Sequence, residues 1–339
     1  MDNGKKLAFL EIHDWEADYL RRAFEDGELF ISEQTIDKVD KEKLRDIEVL
    51  SVFIYSDIDK KMLELMPNLK LIATRSTGYD HIDLDEAHKR GITVTNVPTY
   101  GEHTVAEHTF ALILALTRNI HRAYVRTIRG TFSFEGLQGM DLKDKVLGII
   151  GGGHIGLHTV KLGRGFGMEV LVYDTKRHPF LPDIMGYKYV SMDELLANSD
   201  IISLHVPYSP KTHHLIGYQN IDKIKRGAIL INTARGALVD TSALTKALDE
   251  GILAGAGLDV LEEEGLIKEE RQVLYEDTPK EKLRKAIEAH ILLNRENVVI
   301  TPHIAFYSRE AMQRILDTTV QNIKSFYSGK IENEIPEAA

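Results

Sequence analysis

The sequence contains no cysteine among its 339 residues. A disulfide framework, a thiolate nucleophile and a cysteine-ligated metal site are therefore excluded, and we expect a reducing, cytoplasmic setting. Positive charge is not in excess either, because 42 Lys and Arg residues stand against 52 Asp and Glu residues, for a formal net charge of -10. Such a chain repels nucleic acid and anionic membranes at long range, which leaves small molecules as the expected ligands.

Long hydrophobic runs are also missing. The most apolar stretch, residues 109–117, lies between the charged residues Glu107 and Arg118 and is too short to cross a bilayer. The apolar stretch near the amino terminus is too short for a secretory signal. The histidines do not follow a ligand spacing such as H-E-x-x-H. We therefore expect a protein with no membrane span, no export signal and no metal.

Short apolar runs alternate with helical stretches, a pattern typical of parallel sheets covered by helices on both faces. A first series of such runs lies within residues 7–97, and a second series lies within residues 146–303. Between them, residues 102–129 show apolar positions at helical spacing, which predicts one long helix able to carry a dimer contact. Residues 265–297 are rich in Glu, Lys and Arg and predict a solvated helical insertion.

The strongest single motif follows the predicted strand at 146–150. Gly151, Gly153 and Gly156 fit the pattern G-x-G-x-x-G of a dinucleotide site, in which glycines allow a tight turn, close approach to a pyrophosphate and packing of helix on strand. The start of the following helix favours the anion. Because strand, turn and helix all surround the motif, the second series of strands predicts a dinucleotide-binding Rossmann domain.

Asp174 ends the next predicted strand, where a carboxylate accepts hydrogen bonds from the adenosine ribose and repels a 2′-phosphate. The expected cofactor is therefore NAD. Lys176 and Arg177 follow closely and leave open how strictly NAD is preferred over NADP.

Three further polar residues stand at the ends of predicted strands, where open α/β sheets bind ligands: Arg235, Glu264 and His303. Together with neighbouring motifs, they resemble the D-isomer-specific 2-hydroxyacid dehydrogenase family over essentially the whole chain. The motifs are STGYDHID at 76–83, NVPTYGEHTVAEH at 96–108, SLHVP at 203–207, NTARGALVD around Arg235, GLDVLEEEG around Glu264 and ITPHIAFYS around His303.

The resemblance implies two α/β domains with doubly wound parallel sheets. An NAD-binding Rossmann domain of residues 101–301, with the long dimerisation helix at its start, is inserted in a smaller flavodoxin-like substrate domain of residues 1–100 and 302–339. It also implies a homodimer. The cofactor-binding residues expected from the motif and the resemblance are Gly151, Gly153, His154, Ile155, Gly156, Asp174, His205, Val206, Pro207, Thr233, Ala234 and Asp259.

The chemistry of 2-oxo acid reduction agrees with the implied catalytic residues. His303 can donate a proton to the developing alkoxide because imidazole titrates near neutral pH. Glu264 would orient the imidazole and stabilise its charged form. The planar guanidinium of Arg235 can grip carboxylate and carbonyl oxygens together. By the same resemblance, the backbone amides of Thr77 and Gly78 hold the other carboxylate oxygen.

The expected substrate is a small 2-oxo acid. The sequence HIAFYS is most similar to the D-lactate dehydrogenase branch, and the aromatic residues Tyr100, Phe306 and Tyr307 suit pyruvate or a modest aliphatic acid. Glyoxylate and hydroxypyruvate reductases share the catalytic residues and stay open as alternatives. Formate dehydrogenases of this fold pair the histidine with glutamine, so Glu264 counts against them. An NAD(H)-sensing role, as in the corepressor-like C-terminal-binding proteins, is an alternative of a different class.

Overall fold

The computed structural model describes residues 5–262, 287–288 and 290–337. The chain forms two compact units. The first unit combines residues 1–100 with 308–339, and the second consists of residues 101–307. The sequence placed the return to the first domain at residue 302. Residues 302–307 belong instead to the second unit, so His303 lies on the same unit as the glycine motif.

The first unit is built on a five-stranded parallel sheet with the strand order β2-β1-β3-β4-β5. This is the flavodoxin-like order, as predicted. Strands β3 and β4 are buried at every position, as expected for central strands covered on both faces. The elements are β1 (Lys6–Phe9), α1 (Asp14–Ala23), β2 (Glu28–Ile31), β3 (Val49–Val52), α2 (Lys60–Glu64), β4 (Leu71–Thr74), α3 (Leu84–Lys89) and β5 (Thr93–Thr95).

The second unit is built on a seven-stranded parallel sheet with the strand order β12-β11-β10-β9-β6-β7-β8. The order in which strands are added to the sheet reverses between β6 and β9, which makes the carboxyl ends of these parallel strands a switch point of the Rossmann type. The elements are α4 (Glu102–Thr117), α5 (Ile120–Ile128), β6 (Val146–Ile150), α6 (His154–Gly165), β7 (Glu169–Tyr173), α7 (Leu181–Met185), β8 (Lys188–Tyr189), α8 (Met192–Asn198), β9 (Ile201–Leu204), β10 (Ala228–Asn232), α9 (Thr241–Asp249), β11 (Leu253–Leu258) and β12 (Val298–Ile300).

A last helix, α10 (Arg309–Tyr327), returns to the first unit and packs on its sheet. Ser308 caps the start of this helix, and its side chain accepts a hydrogen bond from the Ala311 amide. The tail beyond α10 reaches the edge of the same sheet, where the Ile335 amide donates to the Val94 carbonyl at 2.8 Å. This contact covers part of the open edge of β5.

Two features of the secondary structure differ from the sequence expectations, and a third expectation falls largely outside the described residues. The helix expected over residues 102–129 is two helices, because Asn119 takes a left-handed conformation (φ 51°) between α4 and α5. Strands β2 and β8 were not predicted, since their residues are half-exposed and form no clear apolar run. The expected insertion at 265–297 falls largely on residues 263–286, outside the described residues, and its described end buries Leu292 in the core.

Among the described residues, no helix combines the length and the apolar character that a membrane span requires.

Candidate active site

The glycine motif forms a tight turn between β6 and α6. Gly151 has φ +104°, and a Cβ there would lie 2.5 Å from the His205 carbonyl oxygen. A Cβ at Gly156 would collide with the carbonyl oxygen of Gly151. At Gly153, which caps the start of α6, an added Cβ would meet no atom within 4 Å. Gly151 and Gly156 therefore let the chain close on itself. Gly153 leaves an open backbone face at a helix start, which fits a pyrophosphate.

Asp174 follows β7 and helps to hold this turn. Its carboxylate accepts hydrogen bonds from the amides of Gly152 and Lys176, both at 2.7 Å. Arg177, the cation that left the NAD preference open, lies over the ring of Tyr189 at 5.5 Å and donates to the Val190 carbonyl at 3.3 Å. The negative charge of Asp174 is thus fixed beside the glycine turn, whereas the nearby guanidinium is directed to other partners.

His205 follows β9, beside the switch point of the sheet. Its Nε2 lies 2.9 Å from Ser203 Oγ. Although the residue as a whole is only partly buried, burial of the ring lowers the pKa of His205 to about 3. The imidazole is therefore neutral at physiological pH. Val206 and Pro207, the next predicted cofactor residues, continue along the same loop.

The loop after β10 is ordered by a buried asparagine. Asn232 donates from Nδ2 to the Arg235 carbonyl at 2.9 Å and accepts from the Ala234 amide at 3.0 Å. Thr233 Oγ1 lies 3.0 Å from Thr109 Oγ1 of α4. These bonds fix the backbone that carries Arg235, whose side chain is partly buried and donates to the Ala234 carbonyl at 2.8 Å. The sequence did not single out Asn232, although it lies within the NTARG motif.

The loop after β12 wraps around the carboxylate of Asp259, which is 1% exposed. This carboxylate accepts hydrogen bonds from Thr301 Oγ1 at 2.5 Å and from the amides of Ile304 and Ala305 at 2.9 and 2.8 Å. The amide of His303 donates to the Asp259 carbonyl at 2.9 Å. His303 itself has φ 56°, a left-handed conformation that is strained for a residue with a Cβ. Asp259 thus stabilises the turn that presents His303.

A second histidine contributes to this arrangement. His108 of α4 places Nε2 at 3.0 Å from Thr301 Oγ1 and at 3.5 Å from Asp259 Oδ1. Burial raises the pKa of Asp259, but the hydrogen bonds from His108, Thr301, Ala305 and Ile304 outweigh burial, and the pKa lies below its ordinary value. The carboxylate is therefore charged at neutral pH. The sequence expected Asp259 among the cofactor residues, and the structure shows its carboxylate bonded within the protein.

Aromatic side chains follow the strained histidine. The rings of His303 and Phe306 meet edge to face with centroids 6.3 Å apart, and Phe306 packs on Tyr307 in the same way at 5.9 Å. Tyr307 is half-exposed. Glu264, the expected partner of His303, lies outside the described residues. Glu262, two positions earlier, is described and lies 3.0 Å from His214 Nε2.

The expected substrate residues of the first unit follow its strands. Thr77 and Gly78 follow β4, and Thr77 Oγ1 donates to the Val97 carbonyl at 2.9 Å. Tyr100 lies at the end of the segment after β5, where its carbonyl accepts from Arg314 Nε at 2.6 Å. These residues share the carboxyl edge of one parallel sheet, which is the edge where open α/β sheets bind ligands.

Comparison with known proteins decides the family. A family model for the NAD binding domain of D-isomer specific 2-hydroxyacid dehydrogenases matches residues 110–305. The chain belongs to this family.

Relatives of this dehydrogenase family differ in substrate. A glyoxylate reductase of Thermococcus litoralis is 41% identical over 86% of this chain and 83% of that protein. A D-lactate dehydrogenase of Escherichia coli is 35% identical over 84% of each. The crystal structure of a D-lactate dehydrogenase from Aquifex aeolicus, complexed with NAD and lactic acid, superposes with a TM-score of 0.88 at 39% identity, over 98% of this chain and all of that one.

The family assignment establishes the cofactor of this dehydrogenase as NAD. The glycine turn and Asp174 fit that cofactor on geometric grounds. The matched NAD-binding domain contains Arg235, Asp259, His303 and Asn232, and His108 lies two residues before it. Asn232 and His108 were missed as site residues because only their hydrogen bonds in the folded chain distinguish them. The buried asparagine of a strand and the histidine of the VAEH motif are ordinary in sequence.

Proposed function

We propose that this dehydrogenase reduces pyruvate to D-lactate, acting as a homodimer in the cytoplasm. The observation that carries the proposal is the strained turn at His303, fixed on the Asp259 carboxylate and followed by Phe306 and Tyr307. A left-handed histidine costs roughly 1–3 kcal/mol, and such strain persists at sites where geometry serves function. The turn follows a strand of the sheet that also carries the glycine motif and Arg235.

In the proposed mechanism, His303 is the general acid. It donates a proton to the substrate's carbonyl oxygen as that oxygen becomes an alkoxide, and it takes the proton back in the reverse direction. The left-handed turn and the bonds to Asp259 keep the ring from changing position between these steps. Glu264 is proposed, from the sequence, to hold the second ring nitrogen and favour the charged imidazole.

Arg235 is proposed to bind the substrate. Its guanidinium carries a permanent charge and a planar set of donors, so one side chain can hold the carboxylate and polarise the carbonyl. Asn232 fixes the backbone on which it stands. The Thr77 and Gly78 amides are proposed to hold the other carboxylate oxygen, and Tyr100 and Tyr307 to line the pocket for the substrate's variable group.

When bound, NADH supplies the hydride that reduces the carbonyl carbon. The glycine turn is proposed to hold its pyrophosphate, with His154 and Ile155 at the start of α6. Asp174 is proposed to hold the adenosine ribose. The loops carrying His205, Val206, Pro207, Thr233 and Ala234 stand at the neighbouring strand ends. Since His205 is neutral, it adds no positive charge beside the cofactor.

The aromatic residues proposed to line the pocket favour pyruvate over larger or phosphorylated 2-oxo acids. The aromatic pair after His303 offers an apolar wall for a methyl group. Glyoxylate reduction is the second candidate, favoured by the 41% identity to the glyoxylate reductase of Thermococcus litoralis. The two candidates differ only in whether the pocket accommodates a methyl group or a hydrogen atom.

The test is NADH oxidation by the purified protein with pyruvate, glyoxylate, hydroxypyruvate and longer 2-oxo acids, with the product resolved on a chiral column. We expect the highest kcat/KM with pyruvate and D-lactate as the product. A higher kcat/KM with glyoxylate would replace the substrate and leave the mechanism unchanged. NADH binding without turnover of any acid would refute an enzymatic function and favour a sensing role.

A cluster of exposed apolar side chains supports the homodimer. Helix α5 has no buried residue, and it exposes Ile120, Tyr124 and Ile128 by 54, 65 and 63%. Phe132 and Phe134, just beyond it, are 82 and 89% exposed. A surface with this much apolar area is typical of a protein interface. We expect light scattering to give twice the chain mass, and a double variant Phe132→Ser and Phe134→Ser to shift the protein toward monomer.

A further inference from the structure

Two asparagines connect α10 and the carboxyl-terminal tail to the loop that is proposed to bind the substrate carboxylate. Asn322 is fully buried in α10 and donates from Nδ2 to the Asn96 carbonyl at 2.8 Å. Its Oδ1 accepts from Asn333 Nδ2 at 2.8 Å. The Asn333 carbonyl in turn accepts from the Asn96 amide at 3.2 Å. Asn96 is therefore held at both its backbone amide and its carbonyl.

The side chain of Asn96 connects this hydrogen-bonded group to the loop after β4. Its Nδ2 donates to the Thr77 carbonyl at 2.9 Å. The adjacent Val97 adds two bonds, because its amide donates to the Ser76 carbonyl at 3.0 Å and its carbonyl accepts from Thr77 Oγ1 at 2.9 Å. The loop is thus held by two consecutive residues, Asn96 through its side chain and Val97 through its backbone.

These bonds determine where the amides of Thr77 and Gly78 point. In a planar trans peptide, the carbonyl of one residue and the N–H of the next point in opposite directions. Fixing the Ser76 carbonyl therefore fixes the Thr77 N–H, and fixing the Thr77 carbonyl fixes the Gly78 N–H. Within the described part of the chain, neither N–H is bonded to an acceptor. A hydrogen bond to the carbonyl also polarises the peptide and strengthens its N–H as a donor.

We propose that Asn96 is a positioning residue for substrate binding: through the Thr77 carbonyl it orients the Gly78 amide toward the carboxylate of the 2-oxo acid, and Asn322 and Asn333 hold Asn96 for this task. The inference rests on the proposed function, which assigns the carboxylate to the Thr77 and Gly78 amides. Asn96 itself touches neither the substrate nor the cofactor in this scheme.

The first experiment replaces Asn96 by alanine and measures binding of oxamate, a non-reducible analogue of a 2-oxo acid, to the enzyme–NADH complex. A hydrogen bond to a charged group typically contributes enough that its loss weakens binding about tenfold or more. We expect N96A to raise the oxamate Kd and the KM for the 2-oxo acid about tenfold, with the Kd for NADH unchanged. Asn297→Ala is the matched control, because partly buried Asn297 also donates to a backbone carbonyl, that of Ala254 at 3.0 Å, in the second unit.

Asn96→Asp separates positioning from a general loss of stability. The ionised carboxylate cannot donate to the Thr77 carbonyl, but the protonated acid can. The partners of Asn96, which are Thr77, Asn322 and Asn333, carry no charge, and repulsion from the Thr77 oxygen raises the pKa of the new acid. The oxamate Kd of N96D, divided by that of the wild type, should therefore decrease as the pH is lowered from about 7.5 to about 5. The same ratio for N96A should stay constant.

A variant at the surface repeats the test if both Asn96 variants fail to fold. Asn333→Asp removes the Nδ2 donor to Asn322 from an exposed position, and we expect it to raise the oxamate Kd about two- to threefold with the NADH Kd unchanged. Unchanged oxamate binding and KM in a folded N96A or N96D, or in N333D when neither folds, would overturn the proposal. A wild-type protein that binds NADH but neither binds oxamate nor reduces any 2-oxo acid would instead refute the proposed function, and this role with it.

Discussion

Asparagine in place of Asp259 tests whether the turn at His303 depends on one buried carboxylate. Asn keeps one acceptor oxygen, but its Nδ2 is a donor. This donor would face a backbone amide that donates to the carboxylate in the wild type. With the present orientation of the two oxygens, this is the Ala305 amide, bonded at 2.8 Å. A hydrogen bond to a charged group contributes about 1.5–3 kcal/mol, and an orphaned buried donor costs about 1–3 kcal/mol. We therefore expect the Asp259→Asn variant to lose about 2–4 kcal/mol of unfolding free energy in the second unit.

The same change should slow catalysis. Without the full set of hydrogen bonds to residue 259, the turn no longer holds His303 in its left-handed conformation. The strain of that conformation, about 1–3 kcal/mol, then favours relaxation of the turn. We expect kcat to fall at least about tenfold while the Kd for NADH stays within about twofold. The assays are urea unfolding followed by circular dichroism, because the single tryptophan, Trp15, lies in the first unit, and steady-state kinetics at saturating NADH.

The pH dependence of the stability difference follows from the lowered pKa of Asp259. A depressed carboxyl pKa contributes stability above the unfolded value of about 3.9, and that contribution is lost as the pH falls through the lower folded value. The difference in unfolding free energy between wild type and Asp259→Asn should be constant between about pH 8 and about pH 5 and shrink only below about pH 4.

The control is Asp83→Asn at the start of α3, where the Asp83 side chain accepts a hydrogen bond from the Glu86 amide at 3.0 Å. Asn is an equally good helix cap, so we expect a loss below about 0.5 kcal/mol. If Asp259→Asn were as stable as this control, or if its kcat equalled that of the wild type, the carboxylate would not support the turn and the reasoning above would be refuted.

Four further variants test the site directly. His303→Gln should keep NADH binding but lower kcat about 10³-fold, as expected for loss of a general acid, and normal turnover would remove His303 from the mechanism. Arg235→Lys should lower kcat/KM for the 2-oxo acid about 100-fold, because lysine lacks the planar pair of donors; a near-normal value would disprove the bidentate contact. Glu264→Gln should lower the pH at which reduction declines, since the charged imidazole loses its partner, and an unshifted profile would contradict the pairing. Gly156→Ala should weaken NADH binding more than tenfold, because its Cβ collides with the Gly151 carbonyl; titration of NADH fluorescence would reveal an unchanged Kd if this is wrong.

The sequence alone predicted the two parallel sheets and the family. Central strands such as β6 and β10 are continuous apolar runs, which have the same appearance in sequence and in the folded sheet. Edge strands such as β8 were missed because a half-exposed strand has no such run. The helix after residue 101 was predicted as continuous, since one left-handed residue, Asn119, leaves no mark on the apolar spacing.

What the sequence determined by itself was the chemistry available to the protein. The glycine motif and Asp174 predict NAD from their chemistry and spacing, Arg235 and His303 point to a 2-oxo acid through the family resemblance, and the absence of cysteine excludes thiolate and disulfide chemistry. Local pattern is sufficient for such conclusions, because each motif is a short segment whose backbone and side chains act together.

Only the tertiary structure decided what holds these residues in place. Asp259 meets the loop after β12, and Asn322 meets Asn96, across separations of more than forty and more than two hundred residues. No periodicity or motif encodes such a pair, because a hydrogen bond depends on distance and direction after the chain has folded. The strain at His303 likewise became visible only as a backbone angle. The sequence therefore specified the proposed reacting groups, and the fold specified the hydrogen bonds that hold them.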